Sequence, residues 1–164
     1  MPNDHFLSHY DQLADPLFRH CYYRVYDRER AKDMVQEVFL RAWEYLQDGQ
    51  EIRNMKAFLY RIANNLLVDE SRKKQALSLE ALREEGFEPS YAEQPQWEAK
   101  LDAHAVLRVV DELQTDYREV FLMRFVNGLR PKEIAEIIGE SPNVISVRLH
   151  RAVQSVKQSL RHET

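Results

Sequence analysis

The sequence predicts an all-α protein of two small helical domains, an N-terminal helical bundle and a C-terminal helix-turn-helix domain, joined by a flexible acidic linker. Three observations predict it. Only four glycines occur in 164 residues, and the long segments between them repeat apolar residues every three to four positions, the period of a helix facing a core. Near the middle, SLEALREEGFEPSYAEQPQWEAK sets Gly86, Pro89 and Pro95 among glutamates, which is linker composition with room for one helical turn. Further on, PKEIAEIIGESPNVISVRLHRA (131–152) carries two helical patterns around a glycine turn.

The first helix is expected from about Phe6 to Tyr26, broken near Pro16, because proline lacks the amide hydrogen that a helix interior uses. A second runs from about Arg28 to Leu46 and stops at Asp48-Gly49-Gln50, where Gly49 can take a left-handed cap. In this helix Val35, Val38, Phe39, Ala42 and Leu46 form a core face, and Met34, Trp43 and Tyr45 widen it to about half the circumference. Leu40 falls outside that face, among Asp33, Gln36, Glu37 and Glu44. The strip is either the solvent side of a central bundle helix with a tolerated exposed leucine, or an acidic docking strip with an apolar anchor. Periodicity leaves both open. A third helix runs from about Met55 to Lys74. Its Met55, Leu59, Ile62, Ala63 and Leu66 face a core, with Arg61, Asn64, Asn65 and Arg72 opposite and Lys73 and Lys74 following. That polar strip is ordinarily a solvated face; the alternative is a nucleic-acid surface.

Helices resume over about Trp97–Leu113 and Thr115–Val126, the latter ending at Asn127-Gly128. In the helix-turn-helix, Pro131 suits a first helical turn, Gly139 ends that helix, and Ser141-Pro142 is an N-cap followed by a favoured first-turn proline. Ala135 is small where the two helices should cross. In the second helix Ile145, Leu149, Ala152, Val156 and Leu160 share a buried stripe. Asn143, Ser146, Val147, His150 and Gln154 lie opposite, flanked by Arg148 and Arg151. The start of such a helix enters the major groove. There an amide such as Asn143 can read base edges and Val147 can touch a thymine methyl, while the arginines suit phosphates, which position without specifying. An ordinary helical hairpin is the competing reading.

The net charge of −4 argues against nucleic acid only until it is located. Residues 75–100 hold two basic side chains, Arg83 and Lys100, against six glutamates, whereas residues 1–74 carry twelve of each sign and residues 101–164 nine of each. The acidity belongs to the middle segment. Beyond Ser141, Arg148, Arg151, Lys157 and Arg161 face only Glu163, so the last helix is basic. Its local field, screened over about 10 Å at moderate salt, outweighs the total charge.

Other classes are excluded in turn. No apolar run approaches the length of a membrane span. MPNDHFLSHYDQL lacks a basic segment followed by an apolar core, so no secretory signal is expected. Cys21 is the single cysteine, which suits a reducing cytoplasm, and a cytoplasmic location is expected. No nucleophile–base set and no glycine-rich phosphate loop occur, so neither an enzyme, a cofactor nor a small-molecule substrate is expected. His5 and His9, four apart with His20 and Cys21 nearby, could share a metal, but surface histidines and a buried cysteine are commoner; no metal site is expected.

In order and spacing, AKDMVQEVFLRAW (31–43), KAFLYRIANNLLVDESRKK (56–74) and LQTDYREVFLMRFVNGLRPKEIAEIIGESPNVISVRLHRA (113–152) resemble a bacterial RNA polymerase sigma factor of the extracytoplasmic-function (ECF) group, sigma-70 superfamily. The resemblance covers nearly the whole chain. It implies a sigma-2-like domain at 1–74, an acidic linker at 75–100 and a sigma-4-like domain at 101–164. It implies that Asp33, Gln36, Glu37, Leu40 and Trp43 dock on the clamp helices of the largest polymerase subunit, with the flap as a further contact. It implies that Asn54, Lys56, Arg61, Asn64 and Asn65, with Arg72 and Lys73 on phosphates, read and melt the minus-ten promoter element, where a flipped base enters a pocket formed by the preceding loop. It implies that Pro142, Asn143, Ser146, Val147, Arg148, His150 and Arg151 read the minus-thirty-five element. In this family the linker is threaded towards the polymerase active centre, and an anti-sigma factor, often membrane-bound, covers the working faces. The chain departs from the family at 144–148, where Thr-Val-Lys-Ser-Arg is usual and Val-Ile-Ser-Val-Arg stands; the lost lysine weakens phosphate affinity and Val147 shifts base preference. The rival is a stand-alone helix-turn-helix protein: a repressor, which would bind duplex DNA alone as a dimer, or a response regulator, which would need a sensor or receiver domain that the first 74 residues do not suggest. A polymerase-binding adaptor with vestigial DNA contacts is a third reading.

Overall fold

The structure, a computed structural model, describes residues 2–84 and 101–162, with side chains over 5–73 and 104–162. Among them are seven helices and no strand. The chain divides into two compact units, Met1–Gln94 and Pro95–Thr164, and the division falls inside the expected linker. No described helix is long and apolar enough to cross a membrane.

The first unit packs three helices on one another: α1 (Pro2–Val25), α2 (Arg28–Gln47) and α3 (Met55–Glu84). The expected break at Pro16 does not occur; α1 runs through it. Leu13 and Leu17 on either side are buried, as are His20 and Cys21 a turn later. Burying each leucine contributes about 1.5–3 kcal/mol, enough together to offset the roughly 3 kcal/mol that an interior proline costs. Edge-to-face rings of Phe6 against Phe39 and Trp43, with centroids 6.0 and 5.3 Å apart, fasten the start of α1 to α2. Asp27 caps α2 by accepting the Arg30 N–H at 3.1 Å, and Gly49, at φ +83°, ends the turn that follows.

α3 does not stop at Lys74. It continues to Glu84, so ten residues of the expected linker are helical. The reason is in the composition: KQALSLEALRE is made almost wholly of strong helix formers, and no glycine or proline interrupts it before Gly86. The glycine and prolines that mark the segment as linker all lie beyond Glu84, and the glutamates before them are helix formers.

Cys21 is fully buried, and burial pushes its thiol up to about 11 against the smaller opposing influence of Arg24. At pH 8 the folded protein should therefore resist thiol-alkylating reagents and react only after guanidinium unfolding. Stoichiometric labelling of the native chain, read by mass spectrometry, would contradict this.

The second unit holds α4 (Leu101–Asp111), α5 (Thr115–Phe125), α6 (Pro131–Ile138) and α7 (Pro142–His162). The expected start of α4 at Trp97 lies outside the described residues. α7 packs on α4, α5 and α6, with Val110, Val120, Leu129, Ile134 and Ile145 fully buried between them. Arg124 Nη1 donates to the Leu129 carbonyl at 3.1 Å and holds the loop that leads into α6. α6 ends at Gly139, φ +84°, whose N–H donates to the Ala135 carbonyl at 2.8 Å. A side chain there would meet no neighbour, so the cost of one is backbone strain alone. Gly139→Ala should destabilise the second unit by about 1–2 kcal/mol, seen as a lowered urea midpoint.

Candidate functional site

Two surfaces of the first unit and one of the second carry the residues singled out by the sequence. On α2, Ala31, Met34, Val35, Val38, Phe39 and Ala42 are buried, and the other side is open. Leu40 there is 51% exposed, between exposed Asp33, Gln36 and Glu44, with half-buried Glu37 accepting from Arg41 Nε at 2.9 Å. Trp43 differs from its companions: its half-buried ring packs on Phe6, so it steadies the strip rather than standing out from it.

Behind the strip, a polar cleft of about 310 Å³ separates α2 from α3, lined among others by Arg30, Asp33, Glu37, Asp69 and Lys73. In its lining Arg30 forks onto Glu70, Nε to Oε1 at 2.9 Å and Nη2 to Oε2 at 2.5 Å. This bidentate pair ties α2 to α3. The partners are 40 residues apart, and no periodicity in the sequence announces them.

On α3, Arg61, Asn65, Arg72 and Lys73 are exposed as expected, and Lys56 is half-buried. Asn54 is exposed, but its Oδ1 accepts the Ala57 N–H at 3.1 Å, so it caps α3. Asn64 does not lie opposite the core. It is half-buried, its Oδ1 accepting from Nε2 of the fully buried His20 at 2.7 Å, with Tyr60 edge-on to the imidazole at 5.0 Å. A buried imidazole needs a partner, and Asn64 supplies it. The helical wheel holds the signal: measured from Arg61, Asn65, Arg72 and Val68 fall at about +40°, +20° and −20°, whereas Asn64 falls at about −60°, on the side of the buried Tyr60. Val68, 49% exposed, completes that stripe and had been given no role.

On α7 the expected two-sidedness is present. Ile145, Ala152 and Val156 are buried, and Pro142, Asn143, Ser146, Val147, His150 and Arg151 are exposed. Ser141 Oγ accepts the Val144 N–H at 3.2 Å, which starts the helix and sets Asn143 in its first turn. Arg148 is a partial exception: it is half-buried, with Nη2 3.5 Å from Glu140 in the turn. Such a pair contributes at most about 1 kcal/mol. Phe125, exposed beside Phe121 with ring centroids 4.6 Å apart, is a further apolar feature of this unit that sequence reading did not single out.

His5 and His9 sit with ring centroids 5.4 Å apart on α1, while His20 is turned to Asn64, so the four residues of the possible metal set do not converge.

Two family models match the chain, one in each unit: Sigma-70 region 2 over residues 9–77, and Sigma-70, region 4 over residues 103–156. The chain belongs to the sigma-70 family of transcription initiation factors, in its ECF group. Its relatives include the ECF RNA polymerase sigma factor SigL of Mycobacterium tuberculosis, 27% identical over 152 residues that are 92% of this chain and 86% of that one. SigW of Bacillus subtilis, another ECF RNA polymerase sigma factor, is 28% identical over 170 residues, 96% of this chain and 90% of its own. Among solved structures, the sigma factor RpoE in complex with the anti-sigma factor NepR from Bartonella quintana has the same fold. Its TM-score is 0.75 at 24% identity, over 95% of this chain and 96% of that one.

Proposed function

We propose that the chain binds RNA polymerase core through the α2 strip, engages and opens the minus-ten promoter element with α3 and its preceding loop, and reads the minus-thirty-five element with α7. Residues 1–74 then act as the sigma-2-like part, 101–164 as the sigma-4-like part, and the acidic segment between them sets their reach inside the enzyme. The observation that supports this reading best is the coincidence of the two matched regions with the two units, each leaving its polar working face open to solvent. Neither face carries the dense positive charge of an independent duplex binder, which suits a protein that reads DNA only when polymerase holds it there. An anti-sigma factor is the expected regulator; the RpoE relative is seen with one. It would act by covering the α2 and α7 faces.

The deciding experiment is run-off transcription. The chain with its cognate core polymerase should initiate at discrete sites on genomic fragments, and neither component alone should do so. Failure to initiate with core would overturn the proposal. Within it, Asn143→Ala should weaken only promoters with particular upstream bases, by about 1–3 kcal/mol for a bidentate contact. A uniform loss across promoters would place Asn143 on the phosphates.

A further inference from the structure

The groove-facing start of α7 is nearly devoid of available charge. Asn143, Ser146 and Val147 are exposed and neutral, and Arg148 is half-buried against Glu140 at 3.5 Å. The Ser141 hydroxyl is engaged by the Val144 N–H. What faces outward is an amide and, one turn further along the same line, a branched apolar side chain with 48% of its surface open. Val147 is no part of the core: the buried stripe passes through Ile145 and Ala152. It can neither donate nor accept a hydrogen bond. In the major groove the one apolar feature that a base edge offers is the C5-methyl of thymine. Asn143 and Val147 stand about 6 Å apart along the helix axis, close enough to meet neighbouring base pairs.

We propose that the upstream element read by this chain contains a thymine whose methyl group packs against Val147, beside the base contacted by Asn143, and that this contact sets specificity at that position. The proposal rests on α7 being the promoter reader. The chemistry makes the choice sharp. Cytosine at that position would lack the methyl and press its N4 amino group, a donor needing an acceptor, towards the valine side chain. 5-Methylcytosine would restore the methyl while keeping that donor.

Holoenzyme assembled from the full chain and cognate core can select promoters from a duplex library randomised over both elements. The best sequence is then remade with each upstream thymine replaced singly by deoxyuridine. One replacement should weaken holoenzyme binding about three- to fivefold, the effect of losing one buried methyl-sized group. With Val147→Ala, thymine and uracil at that position should bind alike, while bases sensitive to Asn143→Ala stay sensitive. If every thymine tolerates uracil, or if the sensitivity persists in Val147→Ala, the inference is wrong and the promoter-reader assignment stands. If no upstream element is enriched at all, both fall.

Discussion

Leu40→Arg should abolish co-purification of the chain with core polymerase while leaving its circular dichroism and unfolding midpoint unchanged. The fold has no stake in Leu40: it is 51% exposed, on the side of α2 away from the buried Val35, Val38 and Ala42. Arginine is as good a helix former as leucine, so the isolated protein should tolerate it. The interface would lose twice. The apolar anchor disappears, and the new guanidinium lies within helical reach of Glu37 and Glu44 and neutralises the acidic strip from within. A central anchor in a desolvated contact contributes about 2 kcal/mol or more, so the affinity should fall at least about 30-fold. Leu40→Ala should fall short of that, because it removes the anchor and keeps the acids. Undiminished binding by Leu40→Arg would make the strip plain surface and move the polymerase contact elsewhere. A lowered unfolding midpoint would show instead that Leu40 supports the bundle.

What was legible in the sequence and what was not divides along a physical line. The two-sidedness of α2 and α7 was legible because each buries one stripe against neighbours, and the 3.6-residue period records that burial directly. The stops at Gly49 and Gly139 and the cap at Ser141 were legible because each is a local event settled within four residues. The misreadings needed information from elsewhere in the chain. Pro16 reads as a break when only its own missing donor is counted, and the leucines beside it outweigh that loss only once α2 and α3 are there to bury them. Arg30–Glu70 and His20–Asn64 join residues 40 and 44 apart, so no periodic signal names the partners, although the helical wheel does turn Asn64 away from the Arg61–Arg72 stripe. The α3 extension has a different cause: Gly86, Pro89 and Pro95 among glutamates read as linker, although residues 75–84 ahead of them favour helix. The candidate faces follow the same rule. Val147 and Leu40 were found as exceptions to a period, whereas Trp43, Asn54 and Asn64 turned out to have partners within their own unit.

Asn64 supplies the second large effect, because its amide is hydrogen-bonded to the fully buried His20. His20→Ala should destabilise the first unit by about 2–4 kcal/mol, from the cavity left by a fully buried ring and from an Asn64 amide deprived of its partner. Asn64→Ala should cost about 1–3 kcal/mol, by removing the acceptor of the buried Nε2 hydrogen bond. If the two act on each other, the costs cannot add: the double variant should recover about 0.5–3 kcal/mol of their sum, and His20→Leu with Asn64→Leu, which replaces the pair by apolar bulk, should recover most. For a unit of this size each kcal/mol moves the melting midpoint by about 4–8 °C, well within reach of thermal denaturation. A side chain that served only to contact the melted strand would behave otherwise. Asn64→Ala would then leave the melting curve where it was and slow promoter opening alone, and the cycle with His20 would close with no coupling. The neighbouring Asn65 is the internal control: it is exposed on the Arg61–Arg72 stripe, so Asn65→Ala should show the pattern denied to Asn64, an unchanged fold with impaired opening. Two adjacent asparagines thus part company, one holding α3 against α1 and the other open to solvent, and the angle between them on the helix decides which is which.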